Sequence, residues 1–134
     1  MHWHAAVAAL VLCAGVSACG GPPAPVTPDS GDAALRTALS KYVVEFLRRN
    51  PSTSTYLGGE GLDGSLRDAD GTLRDHSRTA IEAEDRWLSI TARGLGGLDD
   101  ATLTDGARID RDVALAQIRF MLHQHQVRRH QERA

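Results

Sequence analysis

A single proline, Pro51, limits the best-patterned helix of the chain. Apolar side chains recur before it at intervals of three and four residues, which is the spacing of one face of an amphipathic helix: Leu35, Leu39, Tyr42, Val43, Phe46 and Leu47. Because Pro51 has no backbone N–H and disfavours a helical conformation at Asn50, the helix is expected to end just before it. Asp29 or Ser30 can cap the start. The pattern predicts a first helix at about residues 30–49.

A second helix is predicted at about residues 77–93. Ser77 can cap it, and the capping-box sequence Thr79-Ala80-Ile81-Glu82 allows a start two residues later. Its apolar side is marked by Ile81, Trp87, Leu88, Thr91 and Leu95. A cluster of glycines is expected to end it, namely Gly94, Gly96 and Gly97.

The third predicted helix, at about residues 107–129, is the longest, and Thr104 or Asp105 can cap it. One apolar stripe is widened by a second set of apolar residues: Ile109, Val113, Ala116 and Phe120, with Leu115, Ile118 and Leu122 beside them. So broad an arc predicts a helix that packs on more than one side. The three helices together predict an all-α fold at residues 30–134, with one short turn at residues 99–103.

The segment between the first two helices is rich in glycine and aspartate. Asp68-Ala69-Asp70-Gly71 resembles part of a calcium-binding loop, but aligning Gly71 with the invariant glycine of such loops places Leu66 and Ser77 at two ligand positions. Neither fits its position, because Leu66 cannot bind a cation and Ser77 stands where a bidentate Glu is required. The sequence therefore predicts a solvated, irregular loop at residues 60–75.

The first 29 residues are typical of an export signal followed by a tether. Residues 5–18 form an apolar run of signal-peptide length, so residues 1–18 are predicted to be the signal peptide. The run closes with Val16-Ser17-Ala18-Cys19-Gly20, which resembles the lipobox of bacterial lipoproteins and predicts lipidation of Cys19. Four of the five prolines lie in the following linker, residues 19–29, and favour an extended spacer. The protein is predicted to be exported and anchored to the cell membrane through a lipid at Cys19, so the membrane is its predicted partner. The alternative is that the leader is an ordinary secretory signal without lipidation.

Composition excludes several other classes of protein. The net charge of −2 argues against nucleic-acid binding, which requires a sustained basic face. The only two cysteines, Cys13 and Cys19, lie near the N-terminus, before the predicted helices, so no disulfide framework is expected in the folded part. The sequence also contains no HExxH, no GxSxG and no phosphate-binding loop, so no catalytic residue is assigned.

Histidines near the end of the third helix are the one candidate metal cluster. His123 and His130 are seven residues apart and share a helix face about 10 Å apart, whereas His125 points elsewhere. A single zinc ion requires closer spacing, with ligands three or four residues apart on a helix. No metal site is therefore predicted, and His123, His125 and His130 are its only weak candidates.

The order of short motifs along residues 34–134 resembles the N-terminal region of the bacterial domain-of-unknown-function 885 family. The residues that carry most of this resemblance are Phe46, Asn50, Pro51, Thr55, Leu57 and Gly58. Weaker matches follow at Asp63 to Leu66, Asp75-His76-Ser77, Leu98-Asp99 and Arg108-Ile109-Asp110. Members are frequently exported lipoproteins and are mostly helical. They are similar to zinc metallopeptidases, with an HExxH-like motif in the C-terminal half.

Two hypotheses about function remain open, and the resemblance implies the first of them. In the first, the chain is the N-terminal helical segment of a lipid-anchored, metallopeptidase-like protein, truncated before the HExxH-like motif and inactive alone. Zinc is then expected only in full-length members, and the third helix packs against the missing region. In the second, the chain is a complete small lipoprotein that acts as a helical module and binds another protein.

Overall fold

The computed structural model describes residues 30–69 and 71–129, and these residues are all-α, as predicted. Five α-helices follow one another: α1 (Asp32–Arg49), α2 (Pro51–Leu57), α3 (Gly59–Leu62), α4 (Arg78–Gly96) and α5 (Asp105–Gln126). Two 3₁₀ turns, Gly64–Ala69 and Asp100–Thr102, complete the regular structure. The predicted signal peptide, the tether with Cys19, and His130 lie outside the described residues.

The three long helices begin and end close to their predicted limits. Ser77 accepts a hydrogen bond from the Ala80 amide and caps α4, and Thr104 accepts one from the Ala107 amide and caps α5. The glycine cluster ends α4 as predicted, but α4 runs past the predicted limit at residue 93 to Gly96, with Gly97 as its C-cap residue. A glycine inside a helix costs only about 1 kcal/mol, and burial of Leu95 on the core side offsets that cost.

The predictions around Pro51 were right about the end of α1 and wrong about the residues after it. Pro51 is the first residue of a new helix, α2, a position where its missing N–H is not needed. The supposed irregular loop at residues 60–75 contains the end of α3 and a 3₁₀ turn. Leu66 of that turn is completely buried, and the turn packs against α1 and α2.

The core lies where α1, α4 and α5 meet. Its buried apolar residues come from these helices and from the 3₁₀ connection before α5: Leu35, Tyr42, Leu88, Leu95, Leu103, Ala114 and Ile118. Tyr42 stacks on Trp87, with ring centroids 5.7 Å apart, and its hydroxyl donates to Gln117 Oε1 at 3.0 Å. Burial and the nearby charge of Glu84 raise the pKa of Tyr42 to about 12, so the hydroxyl stays protonated as a donor.

The start of α1 is attached to the start of α5. The Gly31 amide donates to the Thr102 carbonyl at 2.8 Å, and a Cβ at residue 31 would lie 2.2 Å from Thr102 Oγ1, so a larger residue there would have to displace the Thr102 side chain. The Asp32 carboxylate accepts hydrogen bonds from the Thr104 amide at 3.0 Å and from the Thr104 hydroxyl at 2.8 Å. Neither predicted cap of α1 is observed: Gly31 is the N-cap residue, and Asp29 lies outside the described residues.

These bonds predict a pH-dependent contribution of Asp32 to stability. The hydrogen bonds from the Thr104 amide and hydroxyl hold the pKa of Asp32 below its ordinary value. A lowered folded-state pKa stabilises the protein above the unfolded-state pKa, and this stabilisation is lost as pH falls below about 4. We expect Asp32→Asn to lower the urea midpoint at pH 7, and the difference from the wild type to shrink towards pH 3.

The matched control is Asp110→Asn, a change of the same kind at an exposed position of α5. Its urea midpoint should stay within error of the wild type at pH 7. A difference between Asp32→Asn and the wild type that is equally large at pH 7 and pH 3 would contradict the role given to the ionised carboxylate.

Candidate functional site

The most distinctive surface of the described residues is an apolar stripe along α5. It consists of Ile109, Val113, Ala116 and Phe120, and we call it the α5 stripe. Ile109, Val113 and Phe120 are 63%, 64% and 61% exposed. The four residues of the stripe are separated by four, three and four positions, which is the spacing of a coiled-coil seam. The stripe therefore has the pattern of a face that packs against another helix.

The core lies on the opposite side of α5 from this stripe. Arg111, Ala114 and Ile118 are buried there. At 3.6 residues per turn, the residues of the stripe point roughly 180° away from this buried side. The breadth of the predicted arc is thus explained: the described chain covers one side of α5 and leaves the α5 stripe exposed.

Charged residues flank the α5 stripe unevenly. One edge carries Asp112 and Arg119, seven residues apart, and the other carries Asp110 and Gln117. All four residues are exposed, and the Asp112 side chain is 64% exposed. The Arg111 guanidinium contacts Asp112 through Nε and Nη2, and both atoms contact the same carboxylate oxygen, Oδ1. One edge of the stripe therefore carries charges of both signs, and the other carries a single negative charge.

His125, a weak metal candidate in the sequence, joins α5 to α4. Its side chain is buried, and Nδ1 lies 2.8 Å from Asp85 Oδ1. The other carboxylate oxygen of Asp85 accepts a hydrogen bond from Gln126 at 3.1 Å. The sequence could have indicated the burial of His125, because it lies seven residues after Ile118 on the same face of α5. It gave no signal for Asp85, which is brought near only by packing.

The structure does not bring the predicted histidines together. His123 is exposed and points away from His125 on α5, and His130 lies outside the described residues. Within residues 30–69 and 71–129, no three His, Cys, Asp or Glu side chains are grouped so that they could hold a metal ion.

A cleft of about 440 Å³ opens beside the His125–Asp85 pair. Its described walls are mixed in charge: α4 contributes Arg78, Glu82 and Asp85, and Arg129 follows the end of α5. Such a pair of His and carboxylate can orient an imidazole in an active site, but a nucleophile must lie within reach of the ring. The described lining includes no Ser, Thr or Cys side chain. In the structure the pair joins α4 to α5, and we call this contact the clamp.

Asn50, one of the residues that carry the family resemblance, makes a partly buried polar contact. Asn50 donates from Nδ2 to the Phe46 carbonyl at 2.8 Å and accepts a hydrogen bond from Arg74 Nη1. Arg74 Nη2 also pairs with the buried Glu84 at 2.7 Å, so it ties the α1–α2 junction to α4. Gly58 ends α2 with a φ of 70°, a left-handed conformation that glycine adopts without strain.

Two of the resemblance residues make no contribution to the core. Thr55 and Leu57 are exposed on α2, and the Leu57 side chain remains 63% exposed. The resemblance residues with the clearest structural role are thus Asn50, Pro51 and Gly58.

No protein-family model, curated protein or solved structure matches the chain. Of the helices that the structure describes, none combines the length and the apolar character needed to cross a membrane.

The clamp between α4 and α5 predicts different effects for two neighbouring histidines. His125→Ala removes a buried side chain and its bond to Asp85, so we expect it to lower the free energy of unfolding by about 2–4 kcal/mol. His123→Ala is the matched control at an exposed position, and its effect should stay within about 0.5 kcal/mol. Urea unfolding followed by circular dichroism measures both; equal effects would contradict the assigned clamp.

Proposed function

We propose that the chain is an exported, lipid-anchored helical module that binds another polypeptide through the α5 stripe. The observation that carries this proposal is the exposure of Ile109, Val113 and Phe120 in a coiled-coil spacing. Lone exposed apolar residues are ordinary on protein surfaces, whereas a continuous apolar face typically marks an interaction site. The role proposed is binding rather than catalysis.

The charges at the edges of the stripe favour a protein as the partner. An amphipathic helix that lies on a membrane surface usually has Lys or Arg beside its apolar face. Here the flanking residues include Asp110 and Asp112 as well as Arg119. A mixed pattern of this kind suits a helix with complementary charges better than it suits an anionic lipid surface.

The anchor in this proposal is Cys19, on the basis of the lipobox-like sequence Val16 to Cys19. A lipid at Cys19 and the proline-rich linker of residues 19–29 would hold the helical domain next to the membrane but clear of it. The α5 stripe would then face partners that are exported or anchored at the same surface.

A second candidate function is favoured by the same stripe. In it, the chain corresponds to the N-terminal region of a larger protein of the domain-of-unknown-function 885 type, and the stripe packs against the metallopeptidase-like region. The chemistry of the metallopeptidase-like region would need an HExxH motif and a zinc ion bound by that motif. The present sequence contains no HExxH. An HExxH-coding region directly downstream in the genomic DNA would support this candidate.

Photo-crosslinking in the producing cells tests the binding role. A photoreactive benzoylphenylalanine at Val113 should give a covalent adduct with a protein, because Val113 lies at the centre of the stripe. The same residue at Thr37, an exposed position of α1, is the matched control and should give no adduct. Irradiation followed by immunoblotting of membrane and soluble fractions measures both.

The anchor is tested in the same cells. The Val113 adduct should be found in the membrane fraction, and Cys19→Ser should move it to the soluble fraction, whereas Cys13→Ser should leave it at the membrane. Absence of any adduct from Val113 would contradict the binding role, and a membrane-bound Cys19→Ser protein would contradict the anchor.

A further inference from the structure

We infer that the polypeptide that covers the α5 stripe is a second copy of this chain, bound with the two α5 helices antiparallel. This inference rests on the proposed function, because it names the partner of the same surface. The inference is drawn from the sequence of the stripe and its edges. The stripe of one copy is complementary to the stripe of a second copy that is rotated by 180°. The resulting contact is isologous, as in most homodimers.

Apolar layers match in this arrangement. In an antiparallel pair of helices, each residue of one seam position faces a residue of the other seam position. Val113 then faces the partner's Ala116, and Ile109 faces the partner's Phe120. By symmetry each of these layers occurs twice. A large side chain meets a small one at the centre, which lets the helices approach closely, and the two bulkiest layers close the ends.

Charges also match at the edge of the stripe. The same register places Asp112 next to the partner's Arg119, and the two-fold axis repeats the pair. Arg119 is exposed, and none of the ion pairs formed among the described residues includes it. At the other edge, Asp110 lies next to the partner's Gln117, so no like charges meet. The antiparallel dimer therefore gains two opposite-charge pairs.

A parallel dimer of the same two helices lacks this complementarity. Its seam would place Asp105 next to the partner's Asp110, twice, and would place both Asp112 and Arg119 next to glutamines of the partner. Like charges at these edge positions destabilise a helix pair, whereas opposite charges stabilise it and set its orientation. The sequence thus favours the antiparallel orientation over the parallel one.

The expected dimer is weak in solution. The stripe from Ile109 to Phe120 is only about 16 Å long at 1.5 Å per residue. A contact of this length falls towards the low end of the area of stable interfaces, roughly 1,200 Å² in total. Anchoring two copies in one membrane raises their effective concentration, which strengthens a weak contact without any new interaction.

Charge reversal separates pairing between copies from effects within one copy. Asp112 and Arg119 lie seven residues apart on α5, about 10 Å along the axis, so they cannot pair with each other in the same chain. Asp112→Arg alone or Arg119→Asp alone would place like charges opposite each other. The double variant Asp112→Arg with Arg119→Asp would restore both pairs with their signs exchanged.

Sedimentation equilibrium of the protein purified in a density-matched detergent measures the dissociation constant. We expect the wild type to form a reversible dimer. Either single reversal should raise the dissociation constant about tenfold or more, and the double variant should return it to within about threefold of the wild-type value. Asp110→Arg is the matched control, because its neighbour in the dimer is Gln117, and it should change the constant by less than about threefold. Unchanged circular dichroism shows that each variant is folded.

Two results would overturn the inference. One is a wild-type protein that remains monomeric at the highest concentration reached. The other is a double variant that dissociates as readily as the single reversals. The crosslinking experiment distinguishes these failures from failure of the proposed function. An adduct from Val113 with a different protein retains the binding role and rejects the dimer, whereas no adduct of any kind rejects both.

Discussion

The architecture depends on how much of α5 the rest of the chain can cover. Leu88 of α4 and Ile118 of α5 are both completely buried in the core that these two helices form with α1. Two helices can enclose only one side of a third. The apolar residues of α5 extend beyond that side, so one face stays exposed.

Polar contacts fix the position of α5 and thereby the direction of the exposed face. At one end, Asp32 holds the start of α5 through Thr104, and at the other end Asp85 holds His125. Rotation of α5 about its axis would break both contacts and expose Ile118. The α5 stripe therefore points outwards because the opposite side of α5 is held in place at both ends. A helix held in this way loses less conformational entropy on binding, so the free-energy cost of binding would be smaller.

The sequence predicted the three long helices well because their signals are local, whereas it did not predict the short helices α2 and α3. Periodic apolar residues, the Ser77 cap and the Pro51 boundary depend only on neighbours along the chain. Contacts between distant segments were not predictable in this way: Asp85 with His125, and Arg74 with Glu84 and Asn50, depend on how helices pack. The sequence indicates that the apolar arc on α5 is broad. Periodicity cannot say which part of that arc the rest of the chain covers.

The distance between the two copies of residue 105 tests the account most directly. In the antiparallel register, the two positions lie beyond opposite ends of the contact, about 30 Å apart along the axis at 1.5 Å per residue. Spin labels attached through a ketone-bearing non-natural residue at position 105 leave the cysteines unchanged, and pulsed electron spin resonance measures their separation. A distance distribution centred near 30 Å is predicted. A distribution below about 15 Å would indicate parallel helices, and absence of dipolar coupling would indicate a monomer; either result contradicts the account.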